Sequence, residues 1–258
     1  MLIPGIIASS MLGAPTEPVA GYKVWLDATD ASTITEASNA VSAWTDKSAN
    51  AYVFSQSTAT KKPSTNTRTI NSKNVIDFDG TNDELVSTAT NSTWNFFHNA
   101  TGGTIFFACI VDSVPDGACT LATTTGASST DPGFYTFVST APKHFAYIGT
   151  SSGWNVRNQS SSNMSFGSAV VLAVKTDPSN GTAVDRAKIY RNNNTNIASY
   201  IDGSTTYTTN NANLTLRFGG IGFNYLDGAY GEIVVYDSQL SDSAIDTNMT
   251  YLKSKWGI

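Results

Sequence analysis

The chain has 258 residues and a formal net charge of −5; 40% of it is hydrophobic, 11% aromatic and 14% charged. That composition supports a sizeable core and excludes a disordered acidic chain. The acidic balance and scattered lysines exclude a nucleic-acid-binding surface, and no apolar run approaches the roughly 20 residues of a membrane-spanning helix, so no membrane insertion is expected.

Residues 1–20 hold Pro4, Pro15 and Pro18, with Gly5 and Gly13 between short apolar clusters. The start has no Lys or Arg, and Pro4-Gly5 interrupts its apolar stretch, so no cleavable leader is expected. Two readings stand. The segment is an edge strand of its own sheet, or it is an extended docking arm. In the arm, Ile3, Ile6, Ile7, Met11 and Leu12 offer apolar area for a partner to cover. Pro4 limits its unfolded ensemble and Gly5 permits close backbone approach.

The domain proper is expected over residues 21–258. Residues 22–27 open it as a strand, and residues 29–43 read as loop and turn. Trp44, Asp46, Ser48 and Asn50 form a turn-rich motif before a short strand at 51–54. A strand at 75–78 runs into Asp79-Gly80-Thr81-Asn82-Asp83, and another follows at 84–86. Residues 103–111 (GTIFFACIV) form a near-continuous apolar run that suits a strand buried on both faces. Residues 134–138, 145–148, 169–174 and 187–190 read as further strands, with another near Leu121. Turn signals recur between them. Cys109 and Cys119 flank a turn at VPDG, either bonded or as two buried thiols. His98 and His144 have no partner motif and read as ordinary surface or loop residues.

Leu214, Leu216 and Phe218 alternate with polar residues, and residues 231–236 (GEIVVY) form a β-branched run. Then the period changes: Ile245, Met249, Leu252 and Trp256 make one helical stripe. Ser241 is a suitable N-cap, Lys253 and Lys255 suit the helix C-terminus, and Gly257 can close it in the left-handed conformation. Many short strands with one helix predict an all-β sandwich.

The order VWLDATDASTIT, VSAWTDKSAN, KKP, VIDFDGTNDEL, TIFFACIV, KIYR, FGGIG, GAYGEIVVYDSQLSDSAID and YLKSKWGI resembles the laminin-G-like branch of the concanavalin A-like lectin/glucanase superfamily. Versions of that branch recur in bacterial surface and phage virion proteins. The resemblance covers about residues 20–258. It implies a jelly-roll sandwich of two antiparallel sheets with one C-terminal helix and an N-terminal extended arm. One departure is Ala49, where relatives carry Gly. The opening core from Ile3 to Ser9 resembles those of phage structural proteins. It implies a non-enzymatic virion surface component, such as a decoration protein, fibre or tail appendage. Its arm would bind other virion proteins, and a homotrimer is the first expectation. The alternative is a secreted or surface lectin that binds polysaccharide.

Retaining glycosidases need two carboxylates about 5–5.5 Å apart. The E-x-D-x-x-E strand of the superfamily's hydrolases is missing; Asp77 and Asp79 lack a completing Glu, so no catalytic residue is expected. No cofactor is expected either, with calcium the one metal to weigh. By resemblance Asn82 and Asp83 would hold it at a sheet-edge loop, while the residues alone favour an Asx-type turn over Asp79–Asp83. For a glycan, the candidates are exposed aromatics in polar or glycine-flanked loops: Trp154, Phe223, Tyr225 and Trp94, the last equally readable as core.

Overall fold

The computed structural model describes residues 13–126 and 128–258. Ile3, Pro4, Gly5, Ile6, Ile7, Met11 and Leu12, on which the docking arm rests, lie outside the described residues.

Among the described residues, seventeen strands, all pairing antiparallel, form one hydrogen-bonded sheet that folds over into two layers. The first layer runs Ser64–Ile70, Lys73–Asp79, Asp227–Tyr236, Gly103–Ser113, Ala169–Thr176, Ala187–Arg191, with Val24–Asp27 beside the second half of Asp227–Tyr236. The second runs Ile34–Ala37, Ala40–Thr45, Val53–Ser55, Leu85–Ser87, Arg217–Phe218, Ala118–Thr123, Gly133–Ser139, His144–Thr150, Gly153–Ser160, Ala198–Asp202. A single pair, Ala40 with Ser64, joins the layers. This is the expected jelly-roll sandwich.

Strand side chains alternate between faces, and that alternation sorts the core. Phe107, Cys109, Leu172, Ile233 and Val235 of the first layer meet Leu121, Phe134, Ala146, Ile148 and Val156 of the second. The intervening Phe106, Ala108, Val171, Ala173 and Val234 point the other way, under the C-terminal helix. The run at 103–111 is almost continuously apolar because both of its faces are covered. Cys109 and Cys119 are free, buried thiols, one on each layer; burial raises both above the ordinary thiol range.

The helix spans Asp242–Trp256. Ser241 Oγ accepts from the Ala244 N–H, and Gly257 closes it at φ 69° with its N–H donating to Lys253 O. The expected stripe of Ile245, Met249, Leu252 and Trp256 is buried, and Asn248 and Tyr251 join it. Asn248 Oδ1 accepts from the Val19 N–H at 3.0 Å and from Tyr236 Oη at 3.1 Å; Tyr236 also lies 2.7 Å from Val19 O. Pro18 is buried as well. The packed body therefore takes in Pro18 and Val19.

Several readings need correction. The segment expected as loop at 29–43 contains a hairpin, Ile34–Ala37 with Ala40–Thr45, turned by Ser38 (φ 53°) and Asn39 (φ 67°). Two consecutive positive φ values are what a two-residue hairpin turn needs; Ser-Asn signals it less clearly than Asn-Gly does. Strands Ser64–Ile70, Gly153–Ser160 and Ala198–Asp202 were hidden by polar sequence. In Gly153–Ser160 the core-facing side includes Asn158, whose Nδ2 donates to Val184 O and Ala187 O. Both histidines are buried, not superficial. His98 Nε2 lies 2.9 Å from Asn210 O. Thr136 Oγ1 donates to Phe145 O, so it accepts from His144 Nε2 at 2.7 Å. That fixes the His144 tautomer, and burial lowers its pKa to about 3.

Candidate functional site

The three motifs that carry the sequence resemblance are clasps within the fold. Asp46 Oδ1 accepts from the N–H groups of Trp25 and Ser48, and its Oδ2 from Tyr52. Ser48 Oγ and Asn50 Nδ2 both donate to Lys23 O at 3.0 Å. Ala49 causes no backbone strain; the left-handed residue of this turn is Ala51 (φ 49°). Asp79 Oδ1 accepts from the N–H groups of Thr81 and Asn82, which makes an Asx-type turn. Gly231 gives space to the Trp256 ring, which a Cβ there would approach to 2.7 Å.

Of the two residues weighed for calcium, Asp83 accepts from the Asp79 N–H at 3.1 Å, and Asn82 sits partly exposed in the same turn. Among the described residues, no group of three or more His, Cys, Asp or Glu side chains is arranged to hold a metal ion. Burial, with Asp79 nearby, pushes the Asp83 carboxyl up to about 6. A raised carboxyl favours folding below its unfolded pKa and loses that advantage as pH rises through its folded value. Asp83→Asn is therefore expected to stabilise the protein above pH 6, by about 1 kcal/mol once solvent screening is allowed for. The variant-minus-wild-type difference in melting temperature should vanish near pH 4. Taking that difference isolates Asp83 from His144, whose lowered pKa removes stability as pH falls below 6.5.

The aromatic candidates separate clearly. Trp94 is fully buried, with Nε1 donating to Thr215 Oγ1 at 3.0 Å, and belongs to the core. Tyr225 is buried against Gly220. Phe223 is 50% exposed at a loop tip. Trp154 is partly exposed, and it stands on a strand, not in a loop.

Around Trp154 the second layer presents a set of rings on the face turned away from the core. Phe134, Val138, Ala146 and Ile148 point inward, so Tyr135, Phe137, Phe145 and Tyr147 point outward. Pairing then aligns them across the strands. One row runs Thr123, Tyr135, Tyr147, Arg157, Asp202; a parallel row runs Thr120, Phe137, Phe145, Gln159, Ser199. Phe137 and Phe145 stack at 4.7 Å with 3° between their planes, and Tyr135 stacks on Phe137 at 4.5 Å. Tyr147 stands edge-on to Phe137 at 5.0 Å and to Trp154 at 5.3 Å.

On this outward face Tyr135 and Phe137 are buried, while Phe145, Tyr147 and Trp154 remain partly exposed. The Arg157 guanidinium carbon lies 5.5 Å from the Tyr147 ring centre and 5.8 Å from that of Trp154, and a two-pronged ion pair with Asp202 pins it there. Asn224, next to Phe223, donates from Nδ2 to Tyr135 Oη at 3.4 Å, so the loop bearing Phe223 borders the same face. The side chains of Trp154 and Gln159 make no hydrogen bond among the described residues. Five of these residues, Tyr135, Phe137, Phe145, Tyr147 and Arg157, escaped the sequence reading. The signal available was the pair of aromatic i, i+2 steps on two consecutive short strands, which a hairpin sets opposite one another.

No family model and no curated protein matches the sequence. Solved structures do match. Trypanosoma rangeli sialidase, in complex with 2,3-difluoro-KDN, aligns over 98% of this chain and 36% of its own, with 12% identity and a TM-score of 0.61. Botulinum neurotoxin type C, whose cell entry depends on interaction with two ganglioside molecules, aligns over 90% of this chain and 51% of its own, with 10% identity and a TM-score of 0.58. The likeness is one of fold. This chain spans about a third of the sialidase and half of the toxin chain.

Proposed function

We propose that this chain is a non-enzymatic carbohydrate-binding module whose ligand lies across Phe145, Tyr147 and Trp154. The observation that carries the reading is the aromatic face on which Phe145, Tyr147 and Trp154 are partly exposed. A pyranose has apolar C–H faces that stack on rings and peripheral hydroxyls that need polar partners; here rings and the Gln159, Arg157 and Asp202 side chains lie side by side. Rings packed against one another and a guanidinium held by Asp202 lose little freedom on binding. The sialidase and the toxin are both named with sugar-bearing ligands, which supports this ligand class.

The reading includes no catalysis and no cofactor. Asp27 and Glu232, directly opposite in register, are bridged by Lys255 under the helix, and Asp77 and Asp112 are both held by Arg68. Neither pair faces an open site with a free carboxylate. Turnover of a β-glucan or agar-type polymer that is abolished by changing Asp77 or Asp79 would overturn this part.

Trp154→Ala should weaken binding of an oligosaccharide selected on a glycan array by roughly tenfold or more, given what a stacked ring contributes with its desolvated surroundings. Calorimetric titration measures it, with the melting temperature as the folding control. Unchanged affinity would remove the site from this face.

We also propose the setting: display on a virion surface as a homo-oligomer, a trimer by first expectation, with residues 1–18 docking onto other virion proteins. The resemblance of the opening and its proline-interrupted apolar character support this. Deleting residues 1–18 should abolish incorporation into particles while leaving glycan binding intact; normal incorporation would refute it.

A further inference from the structure

A second polar site lies at the end of the sandwich, in a pocket of about 290 Å³ lined by Asn163, Met164, Ser165, Ser168, Arg191 and Asn192. The arginines of this chain show why it stands out. Arg68 is paired with Asp77 and Asp112, Arg157 with Asp202, and Arg217 with Glu84. Arg186 donates to the carbonyls of Asn180 and Asn155. Arg191 is held more weakly: among the described residues its guanidinium reaches only Ser162, through Oγ and a long contact of 3.5 Å to the carbonyl. No carboxylate is within ion-pair distance among the described residues, and residues 1–12 and 127 contain no acid. Burial disfavours the charge on Arg191, and no acid among the described residues compensates it.

The rest of the lining supplies donors. Asn192 Oδ1 accepts from the Val171 N–H at 2.9 Å, which turns its Nδ2 donors away from the strand. The side chains of Asn163, Ser165 and Ser168 make no hydrogen bond among the described residues. A half-buried guanidinium, amide and hydroxyl donors, and no acid in the lining form a site for an oxyanion. The volume exceeds what a bare sulfate fills, and buried Met164 adds apolar lining for a ring.

We propose that this pocket binds an anionic saccharide unit, a sulfated or uronic pyranose, with its oxyanion on the fork of Arg191. The proposal does not depend on the aromatic face. The test is calorimetric titration of the full chain with glucuronate, galactose 6-sulfate, glucose and inorganic sulfate at matched ionic strength. Wild type should bind one or both charged sugars saturably and glucose not at all. Arg191→Gln should lose roughly tenfold or more, Arg191→Lys should retain part of the affinity, and Trp154→Ala should change nothing. Ser168→Ala, which leaves the guanidinium in place, should weaken binding by a smaller factor. Equal affinity for inorganic sulfate would overturn the saccharide half. No saturable binding by any anion, or unchanged affinity in a folded Arg191→Gln protein, would overturn the site.

Discussion

Glu232→Ala is expected to cost about 3–5 kcal/mol, the scale for removing one partner of a buried ion pair. Glu232 is fully buried on Asp227–Tyr236, where the ladder shifts register beside Gly231. Its Oε1 accepts from Trp25 Nε1 and Tyr251 Oη, each at 2.6 Å; its Oε2 accepts from Trp256 Nε1 at 2.9 Å and Lys255 Nζ at 2.8 Å. Lys255 also reaches Asp27 at 2.9 Å, and Lys47 bridges Asp27 to Asp30. Burial alone would raise the Asp27 carboxyl, but hydrogen bonds from Lys255 and Thr29 outweigh it and the net displacement is downward. Removing Glu232 strands two indole N–H groups and a phenol and leaves the Lys255 ammonium with Asp27 as its one carboxylate partner. Urea unfolding measures the loss. A cost below about 1 kcal/mol would mean that the helix is not held through this carboxylate.

Trp256→Ala should cost about 3–5 kcal/mol, the range for emptying a large aromatic site. The ring is fully buried, fits over Gly231, and gives its N–H to Glu232. Because both changes touch one hydrogen-bonded cluster, they should not add. The double variant should lose clearly less than the sum of the single losses, by about 0.5–3 kcal/mol. A melt unchanged by Trp256→Ala would contradict this packing.

What was legible in the sequence follows from where side-chain chemistry has one meaning. The closing helix was readable because Ser241, the apolar stripe and Gly257 all specify the same element. The run at 103–111 was readable because a strand covered on both faces has no polar phase. Gly153–Ser160 was not: buried Asn158 gives its Nδ2 hydrogens to distant carbonyls, which no local pattern announces. The candidate site fell in that gap. The motifs that carried the resemblance, around Asp46, Asp79 and Gly231, clasp turns and seat the helix. The aromatic face depends instead on which strands lie adjacent, and on Arg157 meeting Asp202 across forty-five positions of chain.

The central claim is that the outward rings of the second layer receive a glycan. Amide and indole NMR shifts on adding a neutral oligosaccharide selected on a glycan array test it most directly. The expected shifts concentrate in Gly133–Ser139, His144–Thr150 and Gly153–Ser160, with the Trp154 indole signal among the largest and the Trp256 indole unmoved. Shifts confined to the helix-covered layer or the Arg191 pocket, or none at saturating ligand, would contradict it.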